Sequence, residues 1–225
     1  MPFPATHNPP QTAVAATAAP RPTAADAQRQ APDGDVRAHR VRLGHLAEAL
    51  ARHLGLDADT AQLLRLAAPL HDVGETDPTA AAFEPPWPLT AAEERRRRQA
   101  QPQRGAALLG GSRLPLFALA AEIARHHRER WDGNGYPQGL KGKAIPLSAR
   151  IVAVVDYFDA LTMRRRFRPA RADDRGLAML AEQAGSAFDP EIVAAFVAHA
   201  PELIALRDRI DPTGPGGAMP PRAGA

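Results

Sequence analysis

The stretch that decides the fold runs from Val36 to Leu54 and reads VRAHRVRLGHLAEALARHL. Its large apolar side chains recur three, four and seven residues apart, and this spacing predicts one face of an amphipathic helix. Gly55 follows directly, as expected of a residue that ends a helix. His39 falls on the apolar stripe, with Asp35 one turn earlier on the same side. The helix therefore directs polar side chains toward the interior, where they need partners.

Other segments carry helix signals as well, and together they predict an all-α bundle. A segment from 147 to 161 is apolar nearly all round and too long for a single strand, so we expect a buried helix there. The remaining signals are a periodic segment over 57–72, a capping box at Thr90 to Glu93, a first-turn proline at Pro115, and an N-cap with a proline at Asp189-Pro190 opening a last helix through Ala200. Between helices, residues 131–142 hold four glycines and a proline, which is typical of an ordered loop.

Composition sets the domain limits. The chain has 225 residues, 44% of them hydrophobic and 24% charged, which is enough for one sizeable domain. Residues 1–34 contain ten alanines and seven prolines, and residues 211–225 contain four prolines and four glycines. Such segments bury too little apolar surface to offset the entropy of ordering. We expect disordered tails on both sides of a helical domain at 35–210.

Several classes of function and location are excluded at this stage. The chain has no cysteine, so disulfides, thiolate metal sites and thiol nucleophiles are ruled out. No apolar run approaches the roughly 20 residues that a membrane helix needs, and the start has no signal-peptide pattern, so we expect a cytosolic protein without a membrane partner. The net charge is +3 and the pI is 9.9, which suits an anionic ligand but does not indicate nucleic acid.

Four polar residues are predicted to point inward from three different helices: His39, His71, Asp72 and Asp156. A carboxylate in an apolar helix costs several kcal/mol unless it is paired or bound to a cation. Two histidines and two carboxylates are the nitrogen and oxygen donors that a hard to borderline divalent metal prefers. The residues alone therefore predict a metal site.

The remaining histidines divide into one inward candidate and several surface positions. On the predicted fourth helix the apolar stripe projects onto His127, whereas His126 is rotated about 100° away. The others lie off their stripes or in weakly constrained regions, and we expect them at the surface: His7, His45, His53 and His199.

Four motifs in a fixed order carry a family resemblance. They are His71-Asp72-Val73-Gly74, the segment from His127 through Trp131-Asp132-Gly133-Asn134-Gly135-Tyr136-Pro137, the segment Ile145-Pro146-Leu147-Ser148-Ala149-Arg150-Ile151, and Asp156-Tyr157-Phe158-Asp159-Ala160-Leu161. In this order they resemble the HD-GYP branch of the HD-domain phosphohydrolases. The resemblance implies an all-helical bacterial HD-domain bundle with a glycine-rich GYP loop, which hydrolyses cyclic di-GMP with two or three iron or manganese ions.

The resemblance also implies roles for individual residues. The first metal would be held by His39, His71, Asp72 and Asp156, with His71 and Asp72 forming the catalytic pair; Asp72 would bridge to a second metal that His127 also binds. Asp35 matches a ligand position that the family usually fills with Glu. The substrate would be contacted by Arg165, Arg168, Tyr136 and Arg128.

Three departures from the family pattern affect the second metal site. Arg128 stands where the family has the second of two paired histidines, Gln101 where it has another histidine, and Glu75 where it has a lysine. An arginine cannot bind a metal, so Arg128 should either turn away or fill the space of the second ion, where it could pair with Glu75 or grip a phosphate. His126 could replace the missing donor if the helix ends early or gains a residue in its last turn. Pro69 interrupts the second helix two residues before His71, so the His71-Asp72 pair could be shifted. We therefore expect one to two ions.

Three functions remain open from the sequence. The first is a metal-dependent cyclic di-GMP phosphodiesterase, with activity that the departures reduce. The second is a catalytically degenerate HD-GYP protein that binds cyclic di-GMP or a signalling protein partner. The third is an HD phosphohydrolase of another nucleotide.

Overall fold

The computed structural model describes residues 33–75, 89–163 and 170–210, with side chains from Val36 onward. Within these ranges the chain forms helices and no strand, which confirms the predicted all-α class. The α-helices are α1 (Asp33–His53), α2 (Ala58–Ala67), α3 (Ala91–Leu109), α4 (Pro115–His126), α5 (Leu147–Thr162), α6 (Asp173–Glu182), α7 (Pro190–Ala198) and α8 (Ala200–Ile210). Short 3₁₀-helices cover Ala68–Leu70, Val73–Glu75 and Gly142–Ala144.

Helix α1 is the helix that the apolar stripe predicts. Leu43, Leu46 and Leu50 are buried on it, and α1 packs against α2, α5 and α8. At Gly44 a Cβ atom would lie 2.5 Å from the Arg65 carbonyl oxygen, so glycine is what lets α1 and α2 approach this closely. Helix α1 thus forms one wall of the core and carries His39 along it.

The second helix is shorter than the sequence predicts. A helix over 57–72 was expected, but α2 ends at Ala67 and a 3₁₀ turn follows. Pro69 is the physical reason, because it has no N–H to donate and its ring clashes with the preceding turn of an α-helix. The expected end at Asp72 was therefore wrong, whereas the expected interruption at Pro69 is confirmed. His71 and Asp72 lie in a turn instead of on a helical face.

Helix α5 is buried on nearly every side, as its composition predicts. Ile151, Val152, Val154 and Val155 are all fully buried, and this run of β-branched residues is helical. The capping box at Thr90 and the first-turn proline of α4 are also confirmed. Helix α5 brings Asp156 into the middle of the bundle.

The C-terminal part differs from expectation in one respect. The predicted last helix opens at Asp189 as expected but ends at Ala198, and α8 follows it directly. Pro201 fits the first turn of α8, where its missing N–H has no helical partner anyway. The predicted tails lie outside the described residues, except that α1 already begins at Asp33. None of the described helices combines the length and apolar composition needed to cross a bilayer.

Candidate metal centre

Helix α1, the turn after α2, the end of α4 and the middle of α5 meet at one point of the bundle. The ring of His71 lies between two other histidine rings: its centroid is 5.8 Å from that of His39 and 5.1 Å from that of His127. His71 and His127 are buried, and His39 is 18% exposed. The structure thus brings together three of the histidines that the sequence directs inward.

Each of these three rings is held through its Nδ1 atom. His39 Nδ1 lies 2.7 Å from Asp159 Oδ2, His71 Nδ1 lies 3.0 Å from the Ala68 carbonyl oxygen, and His127 Nδ1 lies 3.1 Å from the Ala124 carbonyl oxygen. Carbonyl and carboxylate oxygens accept hydrogen bonds, so each Nδ1 carries the proton and donates. Nε2 is then the atom left to bind an ion, and supporting bonds of this kind orient metal-binding histidines.

The Nε2 atoms of His39 and His71 face the carboxylate of Asp156. Asp156 Oδ1 is 3.5 Å from His39 Nε2 and 4.0 Å from His71 Nε2, and one donor atom from each residue lies within 4.8 Å of the others. His71 Nε2 is buried and makes no hydrogen bond of acceptable geometry, although Asp72 Oδ2 is 3.1 Å away. A buried nitrogen without a hydrogen bond, among carboxylates, fits a divalent cation of nitrogen and oxygen preference.

Asp72 lies between two histidines and uses both of its oxygens. Oδ2 is 3.1 Å from His71 Nε2, and Oδ1 is 3.0 Å from His127 Nε2. A carboxylate in this position is disposed to bridge two neighbouring cations. The expectation that Asp72 links the two halves of the centre stays a prediction, and these two distances are the geometry on which it depends.

Arg128 fills the space on the far side of Asp72. Its Nη2 atom donates to both carboxylate oxygens of Asp72, at 3.1 and 3.3 Å, and lies 3.9 Å from Glu75 Oε1. Of the two arrangements open to this arginine, the structure has the one in which the guanidinium stays beside the centre. His126 is not part of it, since its Nδ1 lies 3.9 Å from Glu129 Oε1.

Charges inside the centre shift the pKa values of its members. Burial disfavours the charged form of His71, but Asp72 and Asp156 outweigh it and raise its pKa to about 9. Burial opposes ionisation of Asp72 too, yet His71 and His127 hold its pKa well below the usual value. Burial and the Asp72 charge raise the pKa of Glu75 to about 7. The ionised carboxylates of the centre therefore stabilise a positive charge placed among the three imidazoles.

Asp159 and Arg42 support the centre and were not predicted from the sequence. Asp159 is 1% exposed and accepts hydrogen bonds from Arg42 at 2.7 and 3.0 Å, besides that from His39. Burial raises the pKa of Asp159, but these partners lower it to about 2. Their spacing could have indicated them. Asp159 follows Asp156 by three residues and Arg42 follows His39 by three, so each lies on the same helix face as a predicted metal ligand.

Glu129 is a third residue that the sequence did not reveal. Its carboxylate is buried and accepts the amide hydrogens of Gln138 at 2.8 Å and Leu140 at 3.1 Å. At Gly135 a Cβ atom would lie 2.3 Å from the Arg130 nitrogen, so the chain can turn there only with glycine. These contacts fix the glycine-rich loop, which is ordered as expected. Its Tyr136 N–H donates to the Arg128 carbonyl oxygen at 3.2 Å.

Three predicted site residues cannot be placed. Arg165 and Arg168 lie outside the described residues, and so does the side chain of Asp35. Three of the four histidines expected at the surface, His45, His53 and His199, are only partly exposed, and His7 lies outside the described residues. The rings of His53 and His199 stack on each other.

Comparison with known proteins identifies the family. The HD domain family matches residues 15–192. The cyclic di-GMP phosphodiesterase response regulator RpfG of Xanthomonas campestris is 42% identical over 165 residues, which is 73% of this chain and 43% of that protein. The 3'3'-cGAMP-specific phosphodiesterase 2 of Vibrio cholerae is 37% identical over 170 residues, or 76% of this chain and 32% of that protein. The chain thus spans less than half the length of these relatives.

Solved structures agree on the fold. A cyclic GMP-AMP-specific phosphodiesterase of Vibrio cholerae superposes with a TM-score of 0.58 at 20% identity, over 76% of this chain and 48% of that one. An HD-GYP-type protein of Bdellovibrio bacteriovorus superposes with a TM-score of 0.56 at 20% identity, over 80% and 58%. From the family match, the relatives and the glycine-rich motif, the chain belongs to the HD-domain family and, within it, to the HD-GYP branch.

Proposed function

We propose that this chain is a metal-dependent phosphodiesterase that hydrolyses a cyclic dinucleotide, with cyclic di-GMP as the expected substrate. The observation that carries the proposal is the set of three buried or half-buried imidazoles whose Nδ1 atoms are all engaged. Their Nε2 atoms converge on two carboxylates, those of Asp72 and Asp156. Burying so many polar groups costs free energy, and a bound cation would offset that cost by pairing with the carboxylates and the Nε2 atoms.

The first ion position is assigned to His39, His71, Asp72 and Asp156. An iron or manganese ion there would supply the Lewis acidity that neutralises a phosphodiester and activates water at neutral pH. Asp159 holds the His39 ring through Nδ1, and the Ala68 carbonyl oxygen holds the His71 ring in the same way, so Nε2 is the atom that each ring would present to the ion in place of any proton it carries there. His71 and Asp72 form the catalytic pair in this assignment.

The Arg128 guanidinium is proposed to occupy the place where a second metal ion would otherwise bind. It pairs with both oxygens of Asp72, at 3.1 and 3.3 Å, and the Asp72 charge in turn raises the pKa of Arg128 against the effect of burial. The side chain is 35% exposed, so its remaining N–H groups can reach a phosphate oxygen. We therefore expect one ion per chain, with Arg128 replacing the charge of a second.

The substrate pocket would be completed by the glycine-rich loop. The Tyr136 backbone is tied to Arg128, and its ring would form a wall beside the phosphate-binding guanidinium. Arg165 is proposed to contact the other phosphate because it matches the family's phosphate-binding arginine, and Arg168 is proposed to assist it because it is close in the sequence. Relatives are named for both cyclic di-GMP and 3'3'-cGAMP, so the proposal covers cyclic dinucleotides as a class. A signalling protein partner and a cytosolic location remain expectations.

Metal analysis of anaerobically purified protein tests the proposal, followed by turnover of cyclic di-GMP and 3'3'-cGAMP. We expect about one iron or manganese per chain and hydrolysis of at least one of the two substrates. Asp72→Asn should abolish both, whereas Asp59→Asn, at an exposed position on α2, should change neither. Metal-free protein that binds cyclic di-GMP without hydrolysis would refute the proposal and favour a degenerate binding protein. Turnover of other nucleotides only would favour a different HD phosphohydrolase.

A further inference from the structure

A second cluster of metal-binding side chains lies at the other end of α1. His53 is the last residue of α1, His199 links α7 to α8, and Glu202 is in the first turn of α8. His53 lies fourteen residues beyond His39, which at 1.5 Å per residue is about 21 Å along the helix. The cluster is therefore separate from the candidate metal centre and shares no residue with it.

The three side chains are already close together. The imidazole rings of His53 and His199 stack with centroids 3.7 Å apart and planes 8° from parallel, and His53 Nε2 lies 3.2 Å from Glu202 Oε2. One donor atom from each residue lies within 4.8 Å of the other two. Apart from the ring stack, His199 makes no side-chain hydrogen bond to another described residue. A ring nitrogen of His199 can therefore offer its lone pair to an ion.

We propose that His53, His199 and Glu202 form a second metal site, which takes a transition-metal cation such as Zn²⁺ or Ni²⁺. Two imidazole nitrogens and one carboxylate oxygen are the donors that such ions prefer, whereas Mg²⁺ and Ca²⁺ prefer oxygen donors. Three protein ligands leave room for solvent in the remaining positions.

Small side-chain movements are sufficient for binding. Donor atoms around a tetrahedral ion at about 2.1 Å lie roughly 3.4 Å apart, so the rings must tilt out of the stack. The Glu202 side chain is 65% exposed and can turn toward an ion, whereas the partly buried imidazoles of His53, which is 20% exposed, and His199 would each have to tilt out of their stack. Binding would link the C-terminal end of α1 to the α7–α8 turn. That link would stabilise the helix that carries His39.

Nickel binding to the full chain tests this site, measured by calorimetry and by loss of the His199 imidazole signals in NMR spectra. His199→Gln should bind one Ni²⁺ fewer than the wild type, and Glu202→Gln should bind the additional ion at least about tenfold more weakly. His45→Gln is the matched control, because His45 lies on the same helix outside the cluster.

The measurements distinguish Ni²⁺ binding at this cluster from metal binding at the candidate metal centre and from misfolding of the variants. We expect Ni²⁺ to raise the melting temperature of the wild type and of His45→Gln more than that of His199→Gln. Circular dichroism shows whether each variant keeps its helices, and Glu202→Gln removes only an exposed carboxylate. Equal Ni²⁺ counts and equal affinities in the wild type and both cluster variants would overturn the proposal, even if the protein hydrolyses cyclic di-GMP.

Discussion

Replacing Arg128 should restore a second metal ion to the centre. The guanidinium lies 3.1 Å from Asp72 Oδ1 and covers the face of that carboxylate which a second ion would share with His127. Arg128→His removes the competing charge and supplies an imidazole at the position where the family motif has one. We expect the variant to bind more metal than the wild type, and Gln101→His with Arg128→His to bind the most.

The size of the effect follows from Coulomb's law. Two unit charges 4 Å apart repel by about 1 kcal/mol in water and about 4 kcal/mol at an effective dielectric of 20. A divalent ion doubles these figures to about 2 and 8 kcal/mol. Because the Arg128 side chain is 35% exposed, solvent screening favours the lower part of this range. Even about 2 kcal/mol weakens binding roughly 30-fold.

Metal content per chain after anaerobic loading with Mn²⁺ is the primary measurement, with cyclic di-GMP turnover beside it. Arg130→His is the matched control, since Arg130 pairs with Asp132 in the loop and does not touch Asp72. The wild type should bind one ion, each single change should add less than a full equivalent, and the double change should approach two. The reasoning fails if wild-type protein already holds two ions, or if Arg128→His and Arg130→His bind the same amount.

Three further perturbations test the supporting residues. His71→Ala and Asp72→Ala should each abolish metal binding while the helical circular dichroism signal persists; unchanged metal content in the Asp72 variant would remove the metal assignment. Asp159→Ala removes the carboxylate that accepts two hydrogen bonds from the buried Arg42 guanidinium and should destabilise the fold by about 3 kcal/mol in urea unfolding, with weaker metal binding. Glu129→Gln can accept only one of two loop amides, so hydrogen exchange at those amides should accelerate and KM should rise; unchanged exchange would show that the loop does not depend on this carboxylate.

Local patterns in the sequence predict most of the fold. The α1 stripe, the capping box at Thr90 and the proline-led start of α4 each depend on neighbours within one turn, and all three agree with the structure. The end of α2 was overestimated because the apolar periodicity continues across Pro69, whereas the backbone hydrogen bonds do not. The periodicity of apolar residues indicates which face of a helix is buried, but it does not indicate whether each residue has a backbone N–H to donate.

In the candidate site, too, the residues that local patterns reveal were predicted, and the contacts that depend on tertiary packing were not. His39 and Asp156 could be found because a polar side chain on a buried face is conspicuous within its own helix. The pairing of Asp159 with Arg42, 117 residues away, depends on how α5 packs on α1, and no local pattern encodes that contact. The stack of His53 on His199 was missed for the same reason, since each residue alone resembles an ordinary surface histidine.

Two of the departures from the family pattern are close in space, as their opposite charges suggest from the sequence. Glu75 replaces a lysine and Arg128 replaces a histidine, and Arg128 Nη2 lies 3.9 Å from Glu75 Oε1 beside Asp72. A lysine at 75 would face Arg128 with a like charge, so the acidic residue suits the arginine that has entered the centre. Together the two changes transfer the positive charge from position 75 to position 128. With Glu75 ionised, the summed formal charge of positions 75 and 128 falls from +1, for a lysine and a neutral histidine, to 0, for a glutamate and an arginine. The positive charge beside Asp72 now belongs to an arginine, which can hold phosphate but lacks the nitrogen donor that would hold a second metal.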